Sequence, residues 1–310
     1  MLTKDEWRVI REARRTKQRR ENGARAAKMH EARLSWESET SLAALPLERL
    51  SLPRANIGCS GWFYWHWRGG FYPASLPTSD WFAHYANRFK TVELNAPFYS
   101  WPTAASVRTW VRQVGRRKFV YTVKVSELIT HIKRFNGTKT LVRDFCHIAD
   151  LLGPRMGCFL FQLPPSFKYT RARLDRIVAQ LDPARRNVVE FRHSSWWNEQ
   201  VFTAFRANGI IFCSCSGPKL PDELVKTADE IYVRFHGTKK WYQHDYTPEE
   251  LNIWAKRIAA SGALRVWAYF NNDRNGYAIK NSRSLLRHLK GWLALGDSLG
   301  EVPETLPAKT

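Results

Sequence analysis

Acids, bases and amides recur at the ends of short apolar runs along this chain. The run 91–95 carries Glu93 and Asn95, 187–193 carries Glu190 and Arg192, 231–237 carries Arg234 and His236, and 266–273 carries Asn271 and Asp273. Lys124 closes the run from 119, and Gln162 closes the run from 158. Side chains alternate along a strand. Glu93 and Asn95 therefore share a face, as do Glu190 and Arg192, Arg234 and His236, and Asn271 with Tyr269 and Asp273. If those faces meet in one cavity, the bases Lys124, Arg192 and Arg234 oppose the acids Glu93 and Glu190. Buried charges are tolerated only when paired. The set predicts an ion-pair network with one positive charge to spare, suited to a phosphate or carboxylate. The chemistry within reach is phosphodiester hydrolysis, with Glu93 or Glu190 as base, His236 as acid or base, and the cations stabilising charge.

Other readings fit the same residues. The cluster could be a self-satisfied polar plug that only closes a barrel. Glu93 and Glu190 could be the carboxyl pair of a carbohydrate-active enzyme, although neighbouring cations favour ionisation of both. The chain could also bind nucleic acid without catalysis. His131, His193, His236, Glu93, Glu190 and Asp273 offer donors for a divalent metal, but three bases at the same mouth repel a dication. No cofactor is expected. Trp62, Phe63, Tyr64, Trp65 and Trp67 follow the first run, and Phe98, Tyr99 and Trp101 the second. These rings, Trp62 and Tyr99 above all, form either a lid or a stacking platform beside a basic cleft.

The elements that would position these side chains follow from periodicity. Strand patterns fall at 57–61, 91–97, 118–125, 158–163, 187–192, 209–215, 230–236 and 265–271. Helical patterns fall at 79–89, 103–114, 138–152, 170–181, 197–207, 247–260 and 282–294. Ser79, Thr103, Thr170 and Thr247 stand at helix starts, the last with Pro248 and Glu250 as a capping box. The stretch 217–229, with Gly217, Pro218 and Pro221, makes a poor helix, so the sixth crossover is expected to be irregular. Eight alternations predict an α/β barrel of the (β/α)₈ type, whose active site lies at the C-terminal ends of its strands. No Gly-rich phosphate loop follows any strand, which argues against a nucleotide-binding open sheet.

The 310 residues carry 49 Lys/Arg and 28 Asp/Glu, a net charge of +21. That balance favours nucleic acid or another polyanion as partner. Residues 1–34 hold eleven bases and five acids without a continuous apolar stripe. Residues 1–55 are read as a basic extension, helical or disordered, with a linker marked by Pro46 and Pro53. The barrel is expected over 56–294 and a loose tail over 295–310. No apolar run is long enough to span a membrane. The first residues hold no secretory apolar core, so a cytoplasmic location is expected. The five cysteines read as small buried thiols, and Cys213 and Cys215 should share one strand face.

Several ordered motifs resemble one family. They begin with Ile57-Gly58-Cys59-Ser60-Gly61-Trp62, Val92-Glu93-Leu94-Asn95-Ala96-Pro97-Phe98-Tyr99 and Phe119-Val120-Tyr121-Thr122-Val123-Lys124. They continue with Leu160-Phe161-Gln162-Leu163-Pro164-Pro165, Val189-Glu190-Phe191-Arg192-His193, Tyr232-Val233-Arg234-Phe235-His236-Gly237 and Tyr269-Phe270-Asn271-Asn272-Asp273. Together they resemble the YecE-like family, domain of unknown function seventy-two, over about residues 56–292. The resemblance implies a TIM-barrel-like fold and no established reaction. Likeness in shape to endonuclease IV-type barrels implies DNA binding only by analogy. The basic extension departs from the family pattern.

Overall fold

The computed structural model describes residues 3–40 and 54–297. Eight strands run Ala55–Cys59 (β1), Thr91–Leu94 (β2), Val120–Lys124 (β3), Met156–Gln162 (β4), Asn187–Glu190 (β5), Ile211–Ser216 (β6), Glu230–Phe235 (β7) and Arg265–Phe270 (β8). All neighbouring pairs are parallel, in the order β1-β8-β7-β6-β5-β4-β3-β2. The helices are α1 (Lys4–Thr40), α2 (Trp81–Ala86), α3 (Ala96–Tyr99), α4 (Ala104–Val114), α5 (Lys139–Cys146) and α6 (Ile148–Leu152). They continue as α7 (Arg171–Val178), α8 (Glu199–Ala207), α9 (Pro248–Ala260), α10 (Tyr277–His288) and α11 (Lys290–Asp297). This is a nearly closed (β/α)₈-type barrel. Among the described residues no helix is long and apolar enough to cross a membrane.

Strand alternation sorts the side chains as the pattern requires. Val92, Val123, Phe161, Val189, Val233 and Phe270 face outward into the main core beneath the helices. Cys158, Leu160, Val188, Cys213, Cys215 and Trp267 fill the barrel's interior as a second core. All five cysteines are free and buried. Cys213 and Cys215 share the inner face, with sulfurs 3.9 Å apart.

The seam between β1 and β2 is closed by a side chain rather than by a ladder. The Tyr85 hydroxyl accepts from the Cys59 N–H (3.0 Å) and donates to the Thr91 carbonyl (3.1 Å). Gly58 is required there, because a Cβ would lie 2.5 Å from the Thr91 oxygen. Tyr85→Phe is expected to leave two buried backbone groups unpaired. The expected loss is about 1–3 kcal/mol, measurable by urea denaturation.

The capping boxes form at Thr103 with Ser106 and at Thr247 with Glu250, and Thr170 accepts from the Arg173 N–H. Ser79 does not cap. A 3₁₀ turn over Thr78–Asp80 precedes α2, and the Ser79 hydroxyl donates to Asp80 instead. The pattern over 138–152 divides into α5 and α6 around buried His147. α10 begins five residues ahead of the pattern over 282–294, because its buried face includes a polar residue. Asn281 donates to Asp245 Oδ1 and the Tyr246 carbonyl, and accepts from Asn272. The sixth crossover holds no helix. Instead Thr227 bonds the Phe212 N–H and the Ile210 carbonyl, and the Val225 N–H reaches Ser214, tying the segment alongside β6.

The basic extension is helical as α1, and its C-terminal part docks on the barrel. Asn22, Ala26, Met29 and Arg33 are buried against the barrel, and the half-exposed Arg15 and Arg19 continue the same helical spacing, which is occupied mostly by polar residues. Arg15 and Arg19 pair with buried Glu127 at 3.0 and 2.9 Å. Arg33 and His30 meet buried Asp144 at 2.8 and 2.9 Å. Asn22 donates to the Tyr99 carbonyl and accepts from the Trp101 N–H. The linker expected around Pro46 and Pro53, and the tail beyond Asp297, lie outside the described residues.

Candidate functional site

The inner faces of β2, β5 and β7 bring two carboxylates onto one guanidinium at the C-terminal mouth. Arg234 donates through Nη1 to Glu190 Oε2 and through Nη2 to Glu93 Oε1, both at 2.6 Å. All three side chains are buried. The Tyr232 hydroxyl donates to the other Glu93 oxygen at 2.5 Å. Arg192 Nε contacts Glu190 Oε1. Burial alone would raise the Glu190 carboxyl, but the Arg192 and Arg234 guanidiniums outweigh it and hold Glu190 well below the carboxylate range. Burial likewise disfavours the charged form of Arg234, and the two glutamates more than restore it.

His236 sits beside this network. Its Nε2 is 3.3 Å from Glu190 Oε1 and 3.0 Å from Arg192 Nη2, and its Nδ1 is 3.4 Å from the Asn271 amide. Burial, then Arg192 and Arg234, drive its pKa well down, so the ring is neutral at physiological pH. Arg192 lies over the Trp241 ring at 4.4 Å, and its Nη1 has no protein acceptor among the described residues.

Lys124 ends β3 on the same inner face, only 9% exposed. Its Nζ lies 3.9 Å from the centre of the Phe98 ring and has no hydrogen-bond or ion-pair partner among the described residues. Burial, reinforced by Arg234, pulls its pKa down to about 7. His131, on a π-helical turn over Leu128–Ile132, packs edge-on to Phe98 at 4.9 Å. Burial and Lys124 lower its pKa to about 4. The spare cation expected from charge counting is therefore a lysine poised to titrate near neutrality.

The remaining residues divide. Gln162 is in register with Glu190 and donates to the Leu163 carbonyl. Asn95 donates to the Ser60 carbonyl at 3.2 Å and leaves its buried Oδ1 unpartnered. Tyr99 is 45% exposed beside Phe98, with Arg15 of α1 over its ring. Trp62 packs edge-on to Phe82 and belongs to the core lid. Asp273 does not join the arginines. Its Oδ1 accepts from the Trp67 indole and its Oδ2 lies 2.8 Å from His66 Nε2, while burial raises its carboxyl to about 6. His193 caps the short turn that begins at Ser194 by accepting from the Ser195 N–H.

Two features restrict the chemistry. The space between Glu93 and Glu190 is filled by Arg234, where a glycosidase pair would need a sugar. The direct contacts to these oxygens come from the Arg234 and Arg192 guanidiniums, the Tyr232 hydroxyl and His236, and the guanidiniums hold Glu190 well below the carboxylate range. Glu190, Cys215 and His236 do place donor atoms within 4.8 Å of one another. Arg192 and Arg234 stand against that same group, and their charge opposes a cation there.

Trp241, Tyr242, Tyr232 and Phe98 complete the site, and only Phe98 was counted from the sequence, as part of the loop aromatics. Tyr232 shares the parity of Arg234 and could have been found by that rule. Trp241 and Tyr242 follow β7 as Trp62 follows β1. Tyr242 holds a left-handed φ of 66°, costly for an aromatic residue, and its N–H donates to the His236 carbonyl.

A nearly closed eight-stranded barrel with a buried arginine–glutamate network at its mouth defines the class. The family model described as protein of unknown function DUF72 matches residues 56–303, and the chain belongs to that family. It is 25% identical over 277 residues to the UPF0759 protein YunF of Bacillus subtilis (strain 168), covering 75% of this chain and 94% of that protein. A crystal structure of a DUF72 family protein from Thermotoga maritima MSB8 matches with a TM-score of 0.69 at 27% identity, covering 76% of this chain and 99% of that one. One from Enterococcus faecalis V583 matches with a TM-score of 0.65 at 18% identity over 81% and 99%, which speaks to fold alone. α1 precedes the region that the family model matches, whereas its docking partners Glu127 and Asp144 lie inside it.

Proposed function

We propose that the barrel mouth binds a small ligand bearing a phosphate or carboxylate group. The carrying observation is that Lys124 Nζ and Arg192 Nη1 have no protein acceptor among the described residues, while both nearby carboxylates are committed to Arg234, Arg192 and Tyr232. Phe98, Tyr99, Trp241 and Tyr242 wall the approach and lower the effective dielectric, which strengthens charge recognition. The glutamates orient the guanidiniums. If the ligand is hydrolysed, Glu190 is a poor proton acceptor, because Arg192 and Arg234 hold it well below the carboxylate range. Calorimetric titration with inorganic phosphate near pH 6.5 should give saturable binding. Arg192→Met should weaken it about tenfold or more. Equal affinity in the variant would remove Arg192 from the site.

A second reading extends the ligand to a nucleic-acid strand, favoured by exposed rings on the loops around the mouth. Phe63, Trp65, Tyr99 and Tyr242 are 45–60% exposed. Stacked bases on these rings would add to a strongly salt-dependent affinity. A fluorescent single-stranded oligonucleotide that loses binding in Trp65→Ala, and loses it steeply with salt, would favour this reading over the small ligand.

A further inference from the structure

We infer that Lys124 is a nucleophile that forms an imine with the carbonyl group of an anionic substrate, a 2-oxo acid or a phosphorylated aldehyde or ketone. The inference rests on the anion-binding reading and adds the reacting group to it. Lys124 closes a strand on the inner face, at the mouth through which a ligand enters. Its Nζ packs over the Phe98 ring, 3.9 Å from the ring centre. The acids that could neutralise it, Glu93 and Glu190, are turned to other donors, and Glu127 is held by Arg15 and Arg19. Among the described residues Lys124 therefore has no carboxylate counter-ion.

This setting supplies an amine that is partly unprotonated near neutrality, as imine formation requires. Burial, then Arg234 and Arg192, lower its pKa, Glu190 and Glu93 partly oppose them, and His131 stays neutral beside it. Arg192 Nη1 is placed to hold the substrate's carboxylate or phosphate.

In the reaction, the amine lone pair forms the C–N bond as the carbonyl π electrons move to oxygen. That oxygen takes one proton from the nitrogen and one from solvent and leaves as water, and the nitrogen lone pair closes the iminium double bond. Sodium cyanoborohydride would deliver hydride to the iminium carbon and fix the adduct as a secondary amine.

The test treats the full chain with pyruvate or dihydroxyacetone phosphate and cyanoborohydride, followed by intact mass and peptide mapping. One adduct per chain is expected, on the peptide containing Lys124, with faster labelling from about pH 6 to about pH 8. Lys124→Met, shown to be folded by circular dichroism, should lose at least about nine-tenths of it. Labelling spread over surface lysines, or unchanged in Lys124→Met, overturns the proposal. Added inorganic phosphate separates the two readings. Phosphate binding without trapping removes the imine and keeps the anion site. Trapping at Lys124 that phosphate does not slow keeps the nucleophile and removes the anion site.

Discussion

Replacing Arg234 with leucine is expected to destabilise the fold by about 3–5 kcal/mol, seen as a lower urea midpoint. The guanidinium is buried and holds Glu93 and Glu190 through separate nitrogens. Its removal leaves Glu93 with the Tyr232 hydroxyl and Glu190 with Arg192 and His236, in a site that water scarcely enters. Adding Glu93→Gln to the same chain should return about 1 kcal/mol or more, because it removes the stranded charge. The acid limb should move too. The folded pKa of Glu190 is depressed, so its contribution is complete above the ordinary carboxylate range and fades only as pH falls through the folded value. Without Arg234 that value rises, and acid unfolding should begin at higher pH. A loss below about 1 kcal/mol would mean that the network is not a structural unit.

Lys124→Met should act in the opposite direction, stabilising the protein at pH 7 by on the order of 2–4 kcal/mol. The folded lysine has a pKa of about 7 against an unperturbed 10.5. The unfolded chain therefore binds more protons between those values, and wild-type stability rises with pH across that window. The penalty is complete below about 7 and shrinks towards 10.5. The methionine variant lacks this rise, so the two stability curves should converge as pH increases. Parallel curves, or a less stable variant at pH 7, would contradict an unpaired cation at this position. A residue that lowers stability while sitting at the barrel mouth is the expected mark of function rather than of folding.

Alternation by two was enough to place Glu93, Glu190, Arg192, Arg234, His236 and Lys124 on one inner surface, because parallel strands covered by helices leave little freedom in parity. The same rule placed Asp273 with them, and it fails there because β8 ends at Phe270. Beyond that point the chain turns, and the carboxylate meets Trp67 and His66. The docking of α1 was not legible from hydrophobic periodicity. Its stripe has the correct helical spacing but is carried by Arg15, Arg19, Asn22 and Arg33, whose partners Glu127 and Asp144 lie more than a hundred positions away for the arginines. A polar stripe becomes recognisable only once its buried acids are located. Part of the extension's charge is thus spent within the chain, which weakens the step from net charge to a polyanionic partner. The roles first given to Glu93 and Glu190 rested on residue type, strand-end position, parity and charge balance. Knowing that Arg234 lies between them turns two candidate bases into the frame that orients the cations.

The central claim is that an unneutralised lysine waits at the mouth for an anion, and the most direct measurement is its own titration. Lysine side-chain NMR of the full chain, with Lys124→Met to assign the signal, should show one lysine titrating near 7. Inorganic phosphate should raise that value, because bound negative charge favours the ammonium form. A Lys124 signal that titrates with the other lysines near about 10.4, or one indifferent to saturating phosphate, would contradict the account.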